Sequence, residues 1–259
     1  MIIDKIQHLI SNGQQFFTDE DISSSKIEKR SAVLARLRRL REKKRIFTPT
    51  KGFHVIVPDT YMAFGTIPAE QYIDQMMDFL EIKYYVGVLS ASAIHGASHQ
   101  KPMVFQVCVD KRLPDVKIDS HHVQFIQNKD VKWVPIIKHK TKTGFVTVSN
   151  AEATCYDQIK FLNYAGGINN AATNLRELLE DKDPNPNFLA NSHYKINILQ
   201  RIGHVLQAVG LSKHAEALHH NLSKYELSWT PLIRSKSTKE SKKDKKWMVL
   251  VNEEIEADV

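Results

Sequence analysis

The stretch KIEKRSAVLARLRRLREKKRIFTPTK, residues 26–51, concentrates the positive charge of the chain. It holds eleven lysines and arginines against two acids, Glu28 and Glu42, whereas the whole chain of 259 residues has a net charge of only +7. Phosphate groups attract such a local excess, and counterions are released when the phosphates are neutralised. The stretch therefore has the charge distribution of a polyanion-binding element.

The same stretch has the apolar spacing of one long helix with a packed face. That face contains Val33, Leu34, Leu37 and Leu40, which recur at the period of a buried helical stripe. A second face alternates basic and small residues: Lys29, Ala32, Arg36, Arg39 and Lys43. A helix of this kind can lie in the major groove of DNA, where arginine reaches guanine edges and small residues let the backbone approach. The alternative is a solvated basic helix.

The elements predicted on either side of this helix follow the order of a winged helix-turn-helix. An amphipathic helix is predicted over residues 2–10, and Thr18 and Asp21 form a capping-box pattern at the start of a second, short helix. A serine-rich turn leads into the basic helix, and a two-stranded hairpin over residues 46–58 places Lys51 at its tip. Residues 1–60 are therefore predicted to be a winged helix-turn-helix DNA-binding domain.

This interpretation assigns DNA contacts to ten residues of the basic stretch and its neighbours. Four are predicted to face the groove: Lys29, Ser31, Arg36 and Arg39. Six are predicted to hold backbone phosphates: Arg30, Arg38, Lys43, Lys44, Arg45 and Lys51.

Residues 61–259 are predicted to form a second, larger domain, which makes the chain α+β in class. Residues 68–150 combine helices with short β-branched or aromatic runs, and such successive runs favour a mainly antiparallel sheet. The runs are residues 104–109, 122–126, 131–137 and 145–148. Residues 151–259 are mainly helical in pattern, with helices at 154–161, 168–179, 194–209 and 212–222. A Lys- and Ser-rich segment, 234–246, is interpreted as flexible and precedes a closing strand at 247–251.

Composition favours a soluble, cytoplasmic protein. The chain is 42% hydrophobic, no apolar run is long enough to span a bilayer, and its start lacks the layout of a cleavable signal. The cysteines, Cys108 and Cys155, lie far apart in apolar settings. We interpret them as small buried hydrophobes and not as a disulfide or a zinc site.

Two groups of polar residues could suggest other chemistry. His95 and His99 have the spacing of two metal ligands on a helix, but a glycine lies between them and no acidic third ligand is near. Glu152, Asp157 and Lys160 resemble part of a nuclease-like cluster, but spacings of five and three do not bring them onto one helical face. No metal, cofactor or enzymatic activity is therefore predicted. The alternatives to a DNA-binding protein are a metal-dependent nucleic-acid enzyme and a winged-helix adaptor that binds protein.

Several short segments, in the same order along the chain, resemble the AbiEi family of bacterial antitoxins. SASAIHG at 90–96 is similar to the family's Ser-Ala-Leu-x-Leu-His-Gly segment, and VSNAEATCYD at 148–157 is similar to its Ser-x-Pro-Glu-Arg-Thr-Leu-Leu-Asp segment. Further matching pieces are GGI at 166–168, LQRIG at 199–203, KW at 246–247 and VN at 251–252. Ala151 and Ala153 stand where the family often has Pro and Arg. Any interaction made by that Arg is therefore absent here or supplied by another residue.

The resemblance implies an antitoxin of a type IV toxin-antitoxin pair in the bacterial cytoplasm, with a role in phage defence. Members of the family bind inverted repeats in their own promoter through the winged helix and so repress transcription. They also counteract a nucleotidyltransferase toxin of the AbiEii family through the C-terminal region, here residues 61–259. The implied partners are double-stranded promoter DNA and that toxin, with no membrane. Type IV pairs act without a stable toxin-antitoxin complex, so the resemblance implies no particular toxin-binding residues.

Overall fold

The computed structural model describes residues 8–9, 14–23, 30–97 and 102–256 of the chain. These residues form eight α-helices and twelve strands, which confirms the predicted α+β class. The helix predicted at 2–10 falls almost wholly outside the described residues, and so do Lys29 and His99.

The chain divides into two compact units, each built from segments that are distant in sequence. The first unit consists of residues 1–84, 103–129 and 138–147, and the second of residues 85–102, 130–137 and 148–259. The predicted division between a domain at 1–60 and a domain at 61–259 stays a prediction.

The first unit begins with two helices and a small sheet. In chain order these elements are β1 (Phe16–Thr18), α1 (Asp19–Ser23), α2 (Arg30–Glu42), β2 (Ile46–Thr50) and β3 (Phe53–Ile56). The strands lie in the order β1-β3-β2, and both pairings are antiparallel. The hairpin predicted over residues 46–58 is thereby confirmed. Its turn includes Gly52 with a φ of 83°, which glycine adopts without steric cost.

A small hydrophobic core joins α1, α2 and this sheet. It consists of Phe17, Ile22, Leu37, Ile46 and Ile56, with Leu9, Val33 and Leu40 packed against it. Leu34 is 50% exposed, so the prediction that it belongs to the packed face is wrong. Successive helical residues are about 100° apart, and Leu34 lies beyond the edge of the stripe that Val33, Leu37 and Leu40 define.

Two short helices and six more strands lie between residues 73 and 149. The helices are α3 (Ile73–Phe79) and α4 (Val88–Ile94). The strands are β4 (Tyr84–Val86), β5 (Phe105–Val109), β6 (Val116–Ile118), β7 (His121–Gln127), β8 (Ile136–Thr141) and β9 (Gly144–Ser149).

The prediction of a mainly antiparallel sheet is wrong. In the first unit β5 and β7 pair in parallel, from Phe105 with Val123 to Val109 with Gln127. In the second unit Val86 and Val148 also form a parallel pair. The physical reason in the first unit is β6, which pairs antiparallel with β7. The chain reverses its direction from β5 to β6 and again from β6 to β7, so β7 runs in the same direction as β5.

One predicted strand is also divided differently. The run at 131–137 begins with a 3-10 turn, Val131–Trp133, and β8 starts only at Ile136. The polar residues 138–141, predicted to separate two strands, belong to β8 itself. A strand with six mostly exposed residues does not show the alternation of apolar and polar residues that sequence reasoning relies on.

The second unit is mainly helical, as predicted. Its longer helices are α5 (Ala151–Lys160), α6 (Ile168–Leu179), α7 (Ile196–Ala208) and α8 (Ser212–Leu222). A small sheet closes it, with strands β10 (Thr230–Pro231), β11 (Lys242–Asp244) and β12 (Val249–Val251) in the order β10-β12-β11. The segment at 234–246, interpreted as flexible, therefore includes a paired strand, because β11 lies antiparallel to β12.

The two cysteines are buried, as predicted. In the part of the chain that the structure describes, no helix combines the length and the apolar character needed to cross a membrane.

Candidate nucleic-acid interface

The predicted capping box is present at the start of α1. The Thr18 backbone N–H donates to Asp21 Oδ2 at 2.7 Å, and the Asp21 N–H donates to Thr18 Oγ1 at 3.3 Å. The Thr18 hydroxyl also bonds the same carboxylate oxygen at 2.9 Å. These reciprocal bonds satisfy N–H groups that the first turn of a helix leaves without partners. They determine where α1 begins after β1.

A buried histidine connects α1, the hairpin and the end of α2. The ring of His54, which is only 3% exposed, bonds Asp19 Oδ1 through Nε2 and Thr48 Oγ1 through Nδ1, both at 2.9 Å. Burial lowers the pKa of His54 and outweighs the opposing effect of Asp19. The ring is therefore neutral at pH 7, so Nε2 carries the proton toward the carboxylate and Nδ1 accepts from the Thr48 hydroxyl. Arg41 Nη1 donates to the same hydroxyl oxygen at 3.3 Å.

The outward face of α2 combines basic and small residues. Ser31, Arg38, Arg39 and Lys43 are exposed, whereas Arg36 is partly buried at the border of the packed face. Arg30 is the first residue of the helix. The structure therefore brings Ser31 and Arg39 to an accessible surface, as the groove-facing prediction requires, and places Arg38 beside them.

Three of the predicted phosphate-binding residues pair with carboxylates of the first unit. Arg38 Nε lies 2.9 Å from Glu42 Oε1, Arg45 Nη1 lies 2.6 Å from Asp59 Oδ1, and Lys44 Nζ lies 3.7 Å from Asp119 Oδ2. Lys44 Nζ also donates to the Ala63 carbonyl at 3.2 Å. Exposed pairs of this kind contribute about 0 to 1 kcal/mol. A phosphate can therefore replace the carboxylate at little cost.

Three other cations have no carboxylate partner among the described residues. They are Arg39 and Lys43 near the end of α2 and Lys51 in the hairpin turn, and all three are exposed. With no acid to neutralise them, they contribute their full charge to the surface field. Lys43 and Lys51 are therefore the strongest candidates for direct phosphate contact, and Arg39 is the exposed arginine available to read the groove.

The three residues of the nuclease-like hypothesis, Glu152, Asp157 and Lys160, do not converge on one site. Glu152 accepts from the Leu189 N–H at 3.1 Å and from Asn185, and Lys160 Nζ pairs with Asp130 Oδ2 at 3.1 Å. Asp157 is buried and is hydrogen-bonded by Tyr85. Among the residues with described positions, no cluster of three or more His, Cys, Asp or Glu side chains could hold a metal ion.

The segments at 90–96 and 148–157 meet inside the second unit. Gln158 Nε2 donates to Ser92 Oγ at 2.7 Å, and His95 Nε2 bonds the Ser149 carbonyl at 2.8 Å. Because only a protonated nitrogen can donate to a carbonyl, His95 carries its proton on Nε2. Asn150 caps α5 by accepting from the Ala153 N–H at 2.8 Å. These residues therefore hold α4 and α5 together.

The segments at 199–203 and 246–247 also meet. Gln200 Nε2 donates to the Ser228 carbonyl at 2.9 Å and to the Trp247 carbonyl at 2.8 Å, and so attaches α7 to the closing sheet. Gly203 lies against the fully buried ring of Trp247, whose Nε1 donates to Gln207 at 2.9 Å. Gly203, with Gln200 and Gln207 about one turn to either side of it, is thus the place where α7 receives the tryptophan.

These features define an α+β protein with a basic helix-and-hairpin surface in its first unit and a hydrogen-bonded helical core in its second. Residues 85–208 match the family model of the AbiEi antitoxin C-terminal domain. This match confirms the resemblance of the chain to the AbiEi antitoxins. This domain supports an antitoxin role within a toxin-antitoxin pair.

Comparison with solved structures identifies a similar fold over nearly the whole chain. The crystal structure of the RV2827C protein from Mycobacterium tuberculosis has a TM-score of 0.65 and 16% sequence identity, covering 95% of this chain and 89% of that one. An antigenic nucleotidyltransferase-like protein from Paracoccidioides brasiliensis, with a TM-score of 0.39 and 10% identity over 58% of this chain and 90% of that one, is too dissimilar to support a conclusion. No curated protein matches the chain.

Sequence reasoning missed the acids that pair with Lys44 and Arg45, the two cations just after the basic helix. Asp59 and Asp119 are distant in sequence from the cations that they pair with, and no local pattern marks such a pair. The exposure of Leu34 could have been predicted from the sequence, because its angular position around the helix separates it from the other three residues of the stripe.

Proposed function

We propose that this chain is the antitoxin of a type IV toxin-antitoxin pair. In this proposal the described N-terminal elements belong to a winged helix-turn-helix, which binds inverted repeats in the chain's own promoter and represses transcription. The second activity is to counteract a nucleotidyltransferase toxin. The AbiEi domain at 85–208 supports the antitoxin role.

The outward face of α2 is the observation that carries the DNA-binding part of the proposal. Arg38 and Arg39 are exposed there, Ser31 is exposed two turns earlier on the helix, and the exposed Leu34 lies between them. Arginine reads guanine edges in the major groove, a small residue permits close approach, and an aliphatic side chain suits the thymine methyl group. The order β1-α1-α2-β2-β3, with its three-stranded antiparallel sheet, agrees with a winged helix-turn-helix in which Lys51 lies in the wing.

Replacing Arg39 or Arg36 by alanine is expected to weaken binding to the DNA upstream of the gene by about 1 to 3 kcal/mol and to relax sequence preference. The reason is loss of a guanidinium that reads a base edge. Lys51→Ala, by contrast, should weaken upstream and scrambled DNA alike, because it removes a phosphate contact. The measurement is a titration of each variant of the full chain against both DNAs, at two salt concentrations.

Arg176→Ala is the matched control for that titration. Arg176 is a partly buried arginine on α6, outside the basic stretch, that pairs with Glu180 at 3.1 Å, so its loss should leave DNA affinity unchanged. If Arg39→Ala and Arg36→Ala both bind upstream and scrambled DNA as the unaltered protein does, α2 does not read the groove. Binding that does not weaken with salt would contradict the phosphate contacts as well.

The toxin-directed activity is expected to survive loss of DNA binding. The Arg39→Ala variant should rescue growth of cells that express the cognate nucleotidyltransferase toxin as well as the unaltered chain does, because Arg39 lies outside the AbiEi domain at 85–208. Both proteins should be expressed from a promoter that is not autoregulated, at matched levels. A variant that fails to rescue despite equal abundance would show that the two activities depend on the same surface.

A further inference from the structure

A pocket of about 380 Å³ lies within the second unit, between the end of α5 and the first half of α7. Residues 159–164, 195, 198, 201 and 233–235 line it. Its charged lining residues are all cations: Lys160, Lys195, Arg201 and Arg234. A pocket with four cations and no acid in its lining has a strongly positive interior.

Arg201 is the most unusual of these cations, because it is only 4% exposed. Its Nε donates to the Leu232 carbonyl at 2.8 Å, and no carboxylate pairs with it among the residues described. Burial, and to a smaller extent the charge of Arg234, lowers the pKa of Arg201 to about 10. Even so the guanidinium is charged at pH 7. A neutral donor could make the hydrogen bond to the Leu232 carbonyl equally well. That bond therefore does not explain why a positive charge is buried at this position.

The remaining cations differ in how far they are already neutralised. Lys160 pairs with Asp130 at 3.1 Å, so its charge has a partner. Lys195 and Arg234 are exposed, and neither pairs with a carboxylate in the described part of the chain. Three positive charges, on Lys195, Arg201 and Arg234, therefore surround one cavity without a balancing carboxylate among the residues whose positions are described.

We propose that this pocket binds a phosphate-bearing small molecule, with the phosphate held by Arg201, Arg234 and Lys195. The planar guanidinium donates parallel hydrogen bonds that match two phosphate oxygens, and lysine adds a point charge. The cavity volume lies within the range of about 300 to 1,000 Å³ that is usual for small-ligand sites, which is more than a phosphate ion alone requires.

The rings of Phe161 and Tyr164 also line the pocket, with their centroids 6.5 Å apart. They provide an apolar surface for the part of the ligand beyond the phosphate, such as a nucleobase. The site shares no residue with α2 or the hairpin. It is therefore independent of the proposed promoter binding.

The test is calorimetric titration of the full chain with inorganic phosphate, AMP and adenosine at constant ionic strength. Phosphate and AMP should bind and adenosine should not, because the site recognises the phosphate group. Tighter binding of AMP than of phosphate would identify a nucleotide-like ligand, and equal binding would identify the phosphate group alone as the recognised element. No binding of either at millimolar concentration, or equal binding of adenosine and AMP, would overturn the proposal.

Arg234→Gln is the decisive variant, because Arg234 is exposed and its replacement should not disturb folding. It should lower the affinity for AMP at least tenfold, through loss of a charge-assisted bond. Lys213→Gln is the matched control, since Lys213 is exposed and pairs with Asp183 away from the lining residues. If Arg234→Gln binds AMP as tightly as Lys213→Gln does, the pocket is not the phosphate site.

Discussion

Asp157→Asn is expected to stabilise the protein by about 4 kcal/mol at pH 8. Asp157 is 1% exposed, and its Oδ2 has no hydrogen-bond partner among the described residues. Burial raises the pKa of its carboxyl group from 3.8 to about 7, against smaller opposing effects of the Tyr85 hydrogen bond and the Lys160 charge. The ionised carboxylate is therefore a destabilising group in this interior.

The direction of the pH dependence follows from the raised pKa. Below about pH 3 the carboxyl is largely protonated in both the folded and the unfolded chain, so ionisation does not affect stability. As the pH rises to about 7 the unfolded chain ionises freely while the folded chain keeps its proton, which lowers the free energy of unfolding by about 1.4 kcal/mol per pH unit. Above that pH the loss is complete. Asparagine resembles the protonated form, so the variant should avoid this loss.

The measurement is the free energy of unfolding in urea for both proteins at about pH 4.5 and pH 8. The difference should be about 1 kcal/mol at the lower pH and largest, about 4 kcal/mol, at the higher. Asp183→Asn is the matched control, because Asp183 is exposed and pairs with Lys213 at 2.9 Å. Asp157→Asn being less stable at both pH values would mean that the carboxylate is held ionised by partners that favour the charge.

Gly203→Ala is expected to destabilise the protein by about 3 kcal/mol, as overpacking of a well-filled core does. A Cβ at residue 203 would lie 2.1 Å from Cζ3 of Trp247. The indole is fully buried and its Nε1 is hydrogen-bonded to Gln207, so the ring cannot move aside freely. The cost should appear although alanine is favoured over glycine in a helix by about 1 kcal/mol.

A double-mutant cycle tests this explanation. In a Trp247→Leu background the ring is absent, and Gly203→Ala should then be neutral or stabilising, since only the helix propensity remains. Urea unfolding of the four proteins gives the coupling energy between residues 203 and 247. Equal losses in both backgrounds would show that the glycine is required by something other than the tryptophan.

Local patterns in the sequence correctly predicted the local structure around the basic helix. Thr18 and Asp21 are three residues apart, and they form the capping box that this spacing indicates. Residues 168–179 and 212–222 form helices with the predicted bounds, because their apolar residues keep a helical period and a glycine precedes each helix by one or two positions. Each of these features depends on neighbours within a few positions along the chain.

Pairing between distant segments was not predictable in the same way. β7 pairs directly with β5, in parallel, because β6 lies on the far side of β7 and not between the two strands, and the strand sequences themselves do not encode that choice. Parallel strands that are buried on both faces read as nearly continuous apolar runs, interrupted in β5 by Gln106, and therefore resemble any other buried strand.

The sequence by itself determined the α+β class, the concentration of positive charge at 26–51, the hairpin that follows it and the resemblance to the AbiEi antitoxins. Charge density and hydrophobic period are properties of consecutive residues, so they can be read before folding. Only the tertiary structure decided which cations have acidic partners. It placed Asp59 beside Arg45 and Asp119 beside Lys44, left Arg39, Lys43 and Lys51 without a carboxylate among the described residues, and buried Arg201 at the wall of a cavity. The physical reason is that the energy of a charged group depends on its burial and on the charges near it. Both are established only when distant segments of the chain have packed together.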